Sequence, residues 1–150
     1  MMTPTLAGTD RRDAPRAEVD PADLRPLRIV LIDGREERRA ITDRLVERCE
    51  ALTVVGLAGT LVEAEALIRS EDADVALLEI QMPVAHGIDM IGALRAQFPE
   101  LRVVVSSFHA DAPTQLAARE QGADAYLVKP LDVDELVRIA RHRREVSAPG

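Results

Sequence analysis

Aromatic residues are almost missing from this chain: no tryptophan, one tyrosine and two phenylalanines in 150 positions. Its core must therefore be Val, Leu, Ile and Ala. Cysteine is as scarce. A lone Cys49 excludes an internal disulfide and a cysteine-rich metal centre, and makes a reducing cytoplasm the expected setting. The thiol falls on the apolar side of a helical pattern and reads as core packing rather than as a reactive group. No run approaches the roughly 18 apolar residues that cross a bilayer, and the N-terminus has no positive-then-apolar secretion signal, so no membrane partner is expected. Positive charge is in deficit, with 19 Lys and Arg against 26 Asp and Glu and a net charge of -7. Nucleic acid requires the opposite, clustered cations that displace counterions, so it too is not an expected partner.

Residues 1–26 hold Pro4, Pro15, Pro21 and Pro26 among mixed charges, with hardly an apolar cluster. Such a segment cannot offset its ordering entropy by burial and reads as a disordered tail. The folded domain is expected over 27–144, followed by a short C-terminal tail, 145–150. Within it, short branched runs alternate with amphipathic stretches. The runs are Arg28–Ile32, Thr53–Leu57, Asp74–Leu78, Leu101–Val105 and Asp124–Val128, nearly continuous in apolar residues, as strands covered on both faces must be.

Five helical patterns lie between and after them. In the first, Ile41, Leu45 and Cys49 recur at four-residue spacing as the inward stripe. The second opens on a capping box, Thr60 with Glu63. The third runs from about Ile88 to Gln97, buries Ile91 and Leu94, and ends before Pro99. The fourth follows Asp111 as N-cap and stops at Gly122. The last repeats the capping box as Asp132 and Glu135, and buries Val133, Leu136, Val137 and Ala140. Five strand–helix units predict an α/β, flavodoxin-like doubly wound parallel sheet of strand order 2-1-3-4-5.

In that topology the ligand crevice lies at the carboxyl ends of the strands. Asp33, Glu79, Ser106 and Lys129 all fall there, ending the first, third and fourth strands and following the fifth. Strands one and three are neighbours, so Asp33 and Glu79 are expected to face one another.

The stretches "RIVLIDG", "ALLEIQMPVAHG", "VVVSS" and "GADAYLVKP", in this order and spacing, resemble a bacterial response-regulator receiver domain, the phosphoacceptor module of two-component signalling. The resemblance covers about Leu27 to Arg143. It implies an acidic pair after strand one that helps hold Mg²⁺, and an aspartate after strand three that takes a phosphoryl group from a histidine kinase. It also implies a Ser or Thr and a Lys that bind the phosphoryl oxygens, and a strand-five aromatic that changes rotamer on activation. Asp33 matches the first acid, Ser106 the hydroxyl (with Ser107 adjoining), Tyr126 the aromatic and Lys129 the amine. Pro130 matches the proline after a cis peptide bond, Met82 and Pro83 the usual Met-Pro, and Gly87 the loop glycine. Two positions depart: Gly34 replaces the second metal-binding acid, and Glu79 replaces the phosphoacceptor aspartate.

Both departures weigh on the chemistry. Mg²⁺ wants octahedral oxygen ligands and one or two carboxylates, and Gly34 removes one. Glu79 carries its carboxylate forward by about 1.5 Å, and a displacement of about 1 Å in a positioned reaction costs about a hundredfold in rate. Weak or absent Mg²⁺ binding is therefore expected, and ordinary phosphotransfer is not. The longer acid is expected instead to reach Lys129 in an ion pair, with Ser106 as a hydrogen-bond donor, imitating part of the phosphorylated state.

Plainer roles stand beside these. Asp33 can simply satisfy backbone donors where the first helix starts. Glu79 and Lys129 can be a leftover surface pair worth under about 1 kcal/mol, and Tyr126 a half-buried strand aromatic. His86 and His109 show no ligand spacing. Arg138, Arg141, Arg143 and Arg144 complement a helix dipole.

Only twenty residues follow Pro130, so the reading is a non-enzymatic, stand-alone receiver that signals by protein contact. Its expected partners are a histidine kinase or a downstream target, and family members also pair through the fourth helix, fifth strand and fifth helix, which makes a homodimer an option. The rival is a phosphoryl-accepting regulator in a phosphorelay. A flavodoxin-like enzyme or cofactor binder is the third reading. It has little support, because "IDGREER" fills the first turn with charge where a phosphate-cradling glycine loop belongs.

Overall fold

The computed structural model describes residues 25–81 and 87–142. Five strands and five helices alternate: β1 Leu27–Ile32, α1 Glu36–Glu47, β2 Leu52–Ala58, α2 Leu61–Glu71, β3 Val75–Leu78, α3 Gly87–Gln97, β4 Arg102–Ser107, α4 Ala112–Gln121, β5 Ala125–Val128 and α5 Val133–Arg141. The strands are all parallel, in the order β2-β1-β3-β4-β5. This is the flavodoxin-like sheet expected, with strand ends moved by one or two residues.

Alternation along each strand builds two cores. Val30, Ile32, Ala76, Leu78, Val103, Val105 and Tyr126 turn to one face, where Ala64 and Ile68 of α2, Met90, Ile91 and Leu94 of α3 and Ala118 of α4 close over them. Ile29, Leu31, Val75, Leu77, Val104 and Leu127 turn to the other, under Val46 of α1 and Leu136 and Ala140 of α5. Because both faces are covered, the strands need no polar side. The register slips once: Ile29 pairs with Val54 but Val30 with Gly56, so Val55 is an extra residue on the edge strand β2.

Most helix ends follow the local chemistry. The Thr60 hydroxyl accepts the Glu63 N–H at 3.2 Å, and the Glu63 carboxylate accepts the Gly59 N–H at 2.8 Å. Asp111 accepts the Thr114 hydroxyl and its N–H, which hold its carboxyl below the ordinary range, and Gly122 ends α4 at φ +116°. Asp132 accepts the Glu135 N–H, but Glu135 turns its own carboxylate to Arg138, so that capping box is half formed.

The expected inward stripe of α1 holds only in part: Cys49, just past the helix, packs against the core as expected, but Ile41 does not. Ile41 is 63% exposed, and the fully buried residue is Val46. The first half of α1 lies over a polar pocket rather than over the apolar sheet, so Arg38, Arg39 and Thr42 face inward there and Ile41 is turned out. The expected tail lies outside the described residues up to position 24, as do Met82, Pro83, His86, Arg143 and Arg144.

Candidate functional site

Parallel strands that end together bring distant residues to one edge. Asp33 follows β1, Glu79 follows β3, Ser106 is the penultimate residue of β4, and Lys129 follows β5 across a cis peptide bond to Pro130. Backbone pairing carries the sheet one residue further on each side: Asp33 N–H donates to the Ala58 carbonyl at 3.0 Å, Glu79 N–H to Ile32 at 2.9 Å, and Lys129 N–H to Ser107 at 2.8 Å. The four side chains line one small cavity of about 20 Å³, together with Arg39, Thr42 and the strand ends.

The lengthened acid does reach the amine. Lys129 Nζ lies 3.0 Å from Glu79 Oε1, with the two side chains only 12% and 4% exposed. The second carboxylate oxygen, Oε2, accepts the Gln81 N–H at 2.9 Å. A pair this deep is not a surface ornament: its desolvation cost is large, and removing one partner would strand a buried charge. The Phe108 ring, mostly exposed, sits 5.4 Å from the same ammonium in a cation–π contact.

The expected hydrogen bond from Ser106 is not formed. Its Oγ is buried and has no hydrogen-bond partner among the described residues, while the Glu79 carboxylate is oriented by Lys129 on one oxygen and the Gln81 N–H on the other. Ser107 is used locally, its hydroxyl accepting the His109 N–H at 3.2 Å. Tyr126 is turned inward, 7% exposed, and its hydroxyl donates to the His109 carbonyl at 2.6 Å, tying β5 to the β4–α4 connection. Burial pushes its phenol above the ordinary value of 10.0.

Asp33 is held by a residue that sequence reasoning overlooked. Arg38, one turn into α1, donates from Nη2 to Asp33 Oδ1 at 2.7 Å and from Nε to Oδ2 at 2.9 Å, a bidentate fork. Nη2 also donates to the Gln81 carbonyl at 2.9 Å. Asp33 Oδ1 accepts the Arg35 N–H at 2.9 Å, and the Asp33 carbonyl accepts from Arg39 at 2.7 Å. The Asp33 hydrogen bonds and charge, with Glu79 nearby, raise the Arg38 guanidinium above its ordinary value. The signal lies in "IDGREER", whose charged residues supply one side of the site.

Two ion pairs, Arg38 with Asp33 and Lys129 with Glu79, thus share one crevice, with Arg39 as a further cation on the Asp33 carbonyl. Among the described residues no cluster of three His, Cys, Asp or Glu is placed to hold a metal. No described helix is long and apolar enough to cross a membrane.

Comparison with known proteins agrees with this architecture. Residues 29–141 match the family model of the response regulator receiver domain. The transcriptional activator DevR/DosR of Mycobacterium tuberculosis is 33% identical over 116 residues, 77% of this chain and 53% of that protein. The nitrate/nitrite response regulator NarL of Escherichia coli K12 is 31% identical over 113 residues, 75% of this chain and 52% of that protein. The chain therefore spans about half the length of these relatives. Among solved structures, a two-component response regulator of the LuxR family from Aurantimonas sp. SI85-9A1 superposes with a TM-score of 0.71 at 30% identity, covering 79% of this chain and 88% of that one. The signal receiver domain of NarL from Mycobacterium tuberculosis gives the same TM-score at 28% identity, covering 79% and 99%. With the 2-1-3-4-5 sheet, the acid after β1, the hydroxyl on β4 and the lysine before a cis proline, these matches make the chain a member of the response-regulator receiver domain family.

Proposed function

We propose that this receiver works without phosphorylation, as a protein-contact module of two-component signalling with no chemistry of its own. The observation that carries the reading is the 3.0 Å contact between Lys129 Nζ and Glu79 Oε1. The amine that would greet an incoming phosphoryl oxygen already holds an anion supplied by the chain. The surrounding space supports the same reading, since the room left among these side chains is small, about 20 Å³, enough for an ordered water. So does the donor set. Gly34 offers no carboxylate, and Asp33 and the Gln81 carbonyl are both engaged by Arg38, which does not fit a magnesium ion seeking several oxygens.

The partners we infer are a histidine kinase or a downstream signalling protein in the cytoplasm. The contact face we favour is α4–β5–α5, where Phe108, Leu116 and Val128 are large apolar residues left exposed beside the pocket and along its edge strand. The same face would serve a homodimer. Tyr126 and its bond to His109 would carry the state of the pocket to that face.

The test uses a partner captured from the native host. Its affinity should fall for Glu79→Gln, which keeps the shape and loses the charge, and fall less for Glu79→Asp. Equal binding by wild type and Glu79→Gln would mean that the carboxylate is not the signal. Incubation with acetyl phosphate and Mg²⁺ should leave the intact mass unchanged; a stable gain of one phosphate would favour the phosphoryl-accepting rival.

A further inference from the structure

We propose that Arg38 is the resident cation of this crevice, a guanidinium that has taken over the work of a divalent ion. The inference deepens the phosphorylation-independent reading and rests on it for the meaning, though not for the geometry, of the site. Three facts carry it. Arg38 binds the Asp33 carboxylate through both oxygens and, with the same Nη2, the carbonyl of Gln81, two residues past Glu79. Those are the hard oxygen donors that converge between the β1–α1 and β3–α3 turns. The pair is well shielded, the Arg38 side chain 24% exposed and Asp33 7%. Finally, Gly34 has no side chain to add a second anion.

Charge pairing explains the combination, and Arg39 on the Asp33 carbonyl adds one more positive charge to the same crevice. A guanidinium carries one positive charge and is matched by the single carboxylate of Asp33, with Lys129 matched by Glu79. A dication entering here would add two positive charges beside Arg38 and find one acid already bridged. The guanidinium is also covalently tethered through α1, always protonated and shaped for bidentate carboxylate binding, so it needs no supply from solution. Arg38 therefore joins the turn after β1 to the turn after β3 permanently, where an ion would do so only when bound. The missing second acid at Gly34 and the arginine fork on Asp33 thus fit together as one substitution of cation for cation.

Calorimetric titration of the full chain with MgCl₂, with no partner protein, tests this in wild type, Gly34→Asp, Gly34→Asp/Arg38→Ala and Gly34→Asp/Arg38→Lys. Circular dichroism verifies the fold of each. Wild type, Gly34→Asp and the lysine variant should show no saturable heat in the millimolar range. Gly34→Asp/Arg38→Ala should bind at least about tenfold more tightly than Gly34→Asp. Should the alanine variant not fold, Arg38→Gln in the same background removes the charge and keeps most of the shape. The assignment is overturned if Gly34→Asp binds as tightly with Arg38 present as without it. It is equally overturned if the folded double variant binds no better than wild type. Either failure leaves the Glu79–Lys129 reading standing, because that is judged by partner affinity and phosphate uptake.

Discussion

At the amino ends of the strands, Asp74 accepts the Arg28 N–H at 2.8 Å, and Asp124 accepts the Val103 N–H at 2.8 Å and Arg95 at 2.6 Å. The Arg95 guanidinium also donates to the carbonyls of Phe98, Pro99, Leu101 and Gly122, closing the ends of α3 and α4 together. There, polar side chains finish what secondary structure leaves open. At the carboxyl ends the pattern changes. Asp33 and Glu79 each accept one local N–H and also pair with a side-chain cation, Arg38 and Lys129, while the Ser106 hydroxyl is buried without a partner among the described residues. One end of the sheet is arranged for stability; the other keeps buried ion pairs and an unmet hydroxyl that stability alone does not require.

If that contrast is sound, the largest loss of stability should come from the end away from the site. Arg95→Ala removes the cation paired with the largely buried Asp124 carboxylate and a donor shared by several carbonyls, and should cost about 3 kcal/mol by urea denaturation while leaving partner affinity unchanged. A cost below about 1 kcal/mol would erase the distinction.

Tyr126→Phe should cost about 1 kcal/mol at neutral pH, the worth of its bond to the His109 carbonyl, and should alter partner affinity as well. It also sets a pH signature. Because the folded phenol lies above its ordinary value of 10.0, the folded state holds that proton more tightly than the unfolded chain does. Its contribution is fully present below pH 10.0 and is lost as pH rises through the folded value. Wild-type denaturation midpoints should fall in that alkaline window, and the phenylalanine variant should lack that part of the fall.

The smallest effect is expected at Ser106. Ser106→Ala removes a buried hydroxyl with no bond to lose, so stability should hold or rise by about 0.5 kcal/mol, read from the same denaturation midpoints. A loss above about 1 kcal/mol would show that the hydroxyl has a partner and that the two ends are alike after all.

Legibility in the sequence followed side-chain length. Strand runs, capping residues and the meeting of Glu79 with Lys129 could be read because each depends on backbone periodicity or on a family pattern at fixed positions. The α1 face was misread because Arg38, Arg39 and Thr42 lie inward, and long amphipathic side chains can bury a stem under a polar head. A rule that sorts residues into apolar and polar then selects Ile41, which is exposed. Arg38 was missed for a related reason. Its fork spans from helix to turn and touches residues 5 and 43 positions away, a reach that no linear spacing announces. The expected Ser106 bond is not formed because the Glu79 carboxylate is oriented by Lys129 and by the Gln81 N–H, a backbone donor that side-chain spacing does not announce.

The chain's poverty in aromatics has a practical sequel. With tryptophan absent and Tyr126 the sole tyrosine, near-ultraviolet emission reports on a single phenol, enclosed beside the β4–α4 connection and hydrogen-bonded to it. The molecule thus comes with a built-in, background-free optical probe, and any partner that rearranges this connection would change its glow without a label being attached.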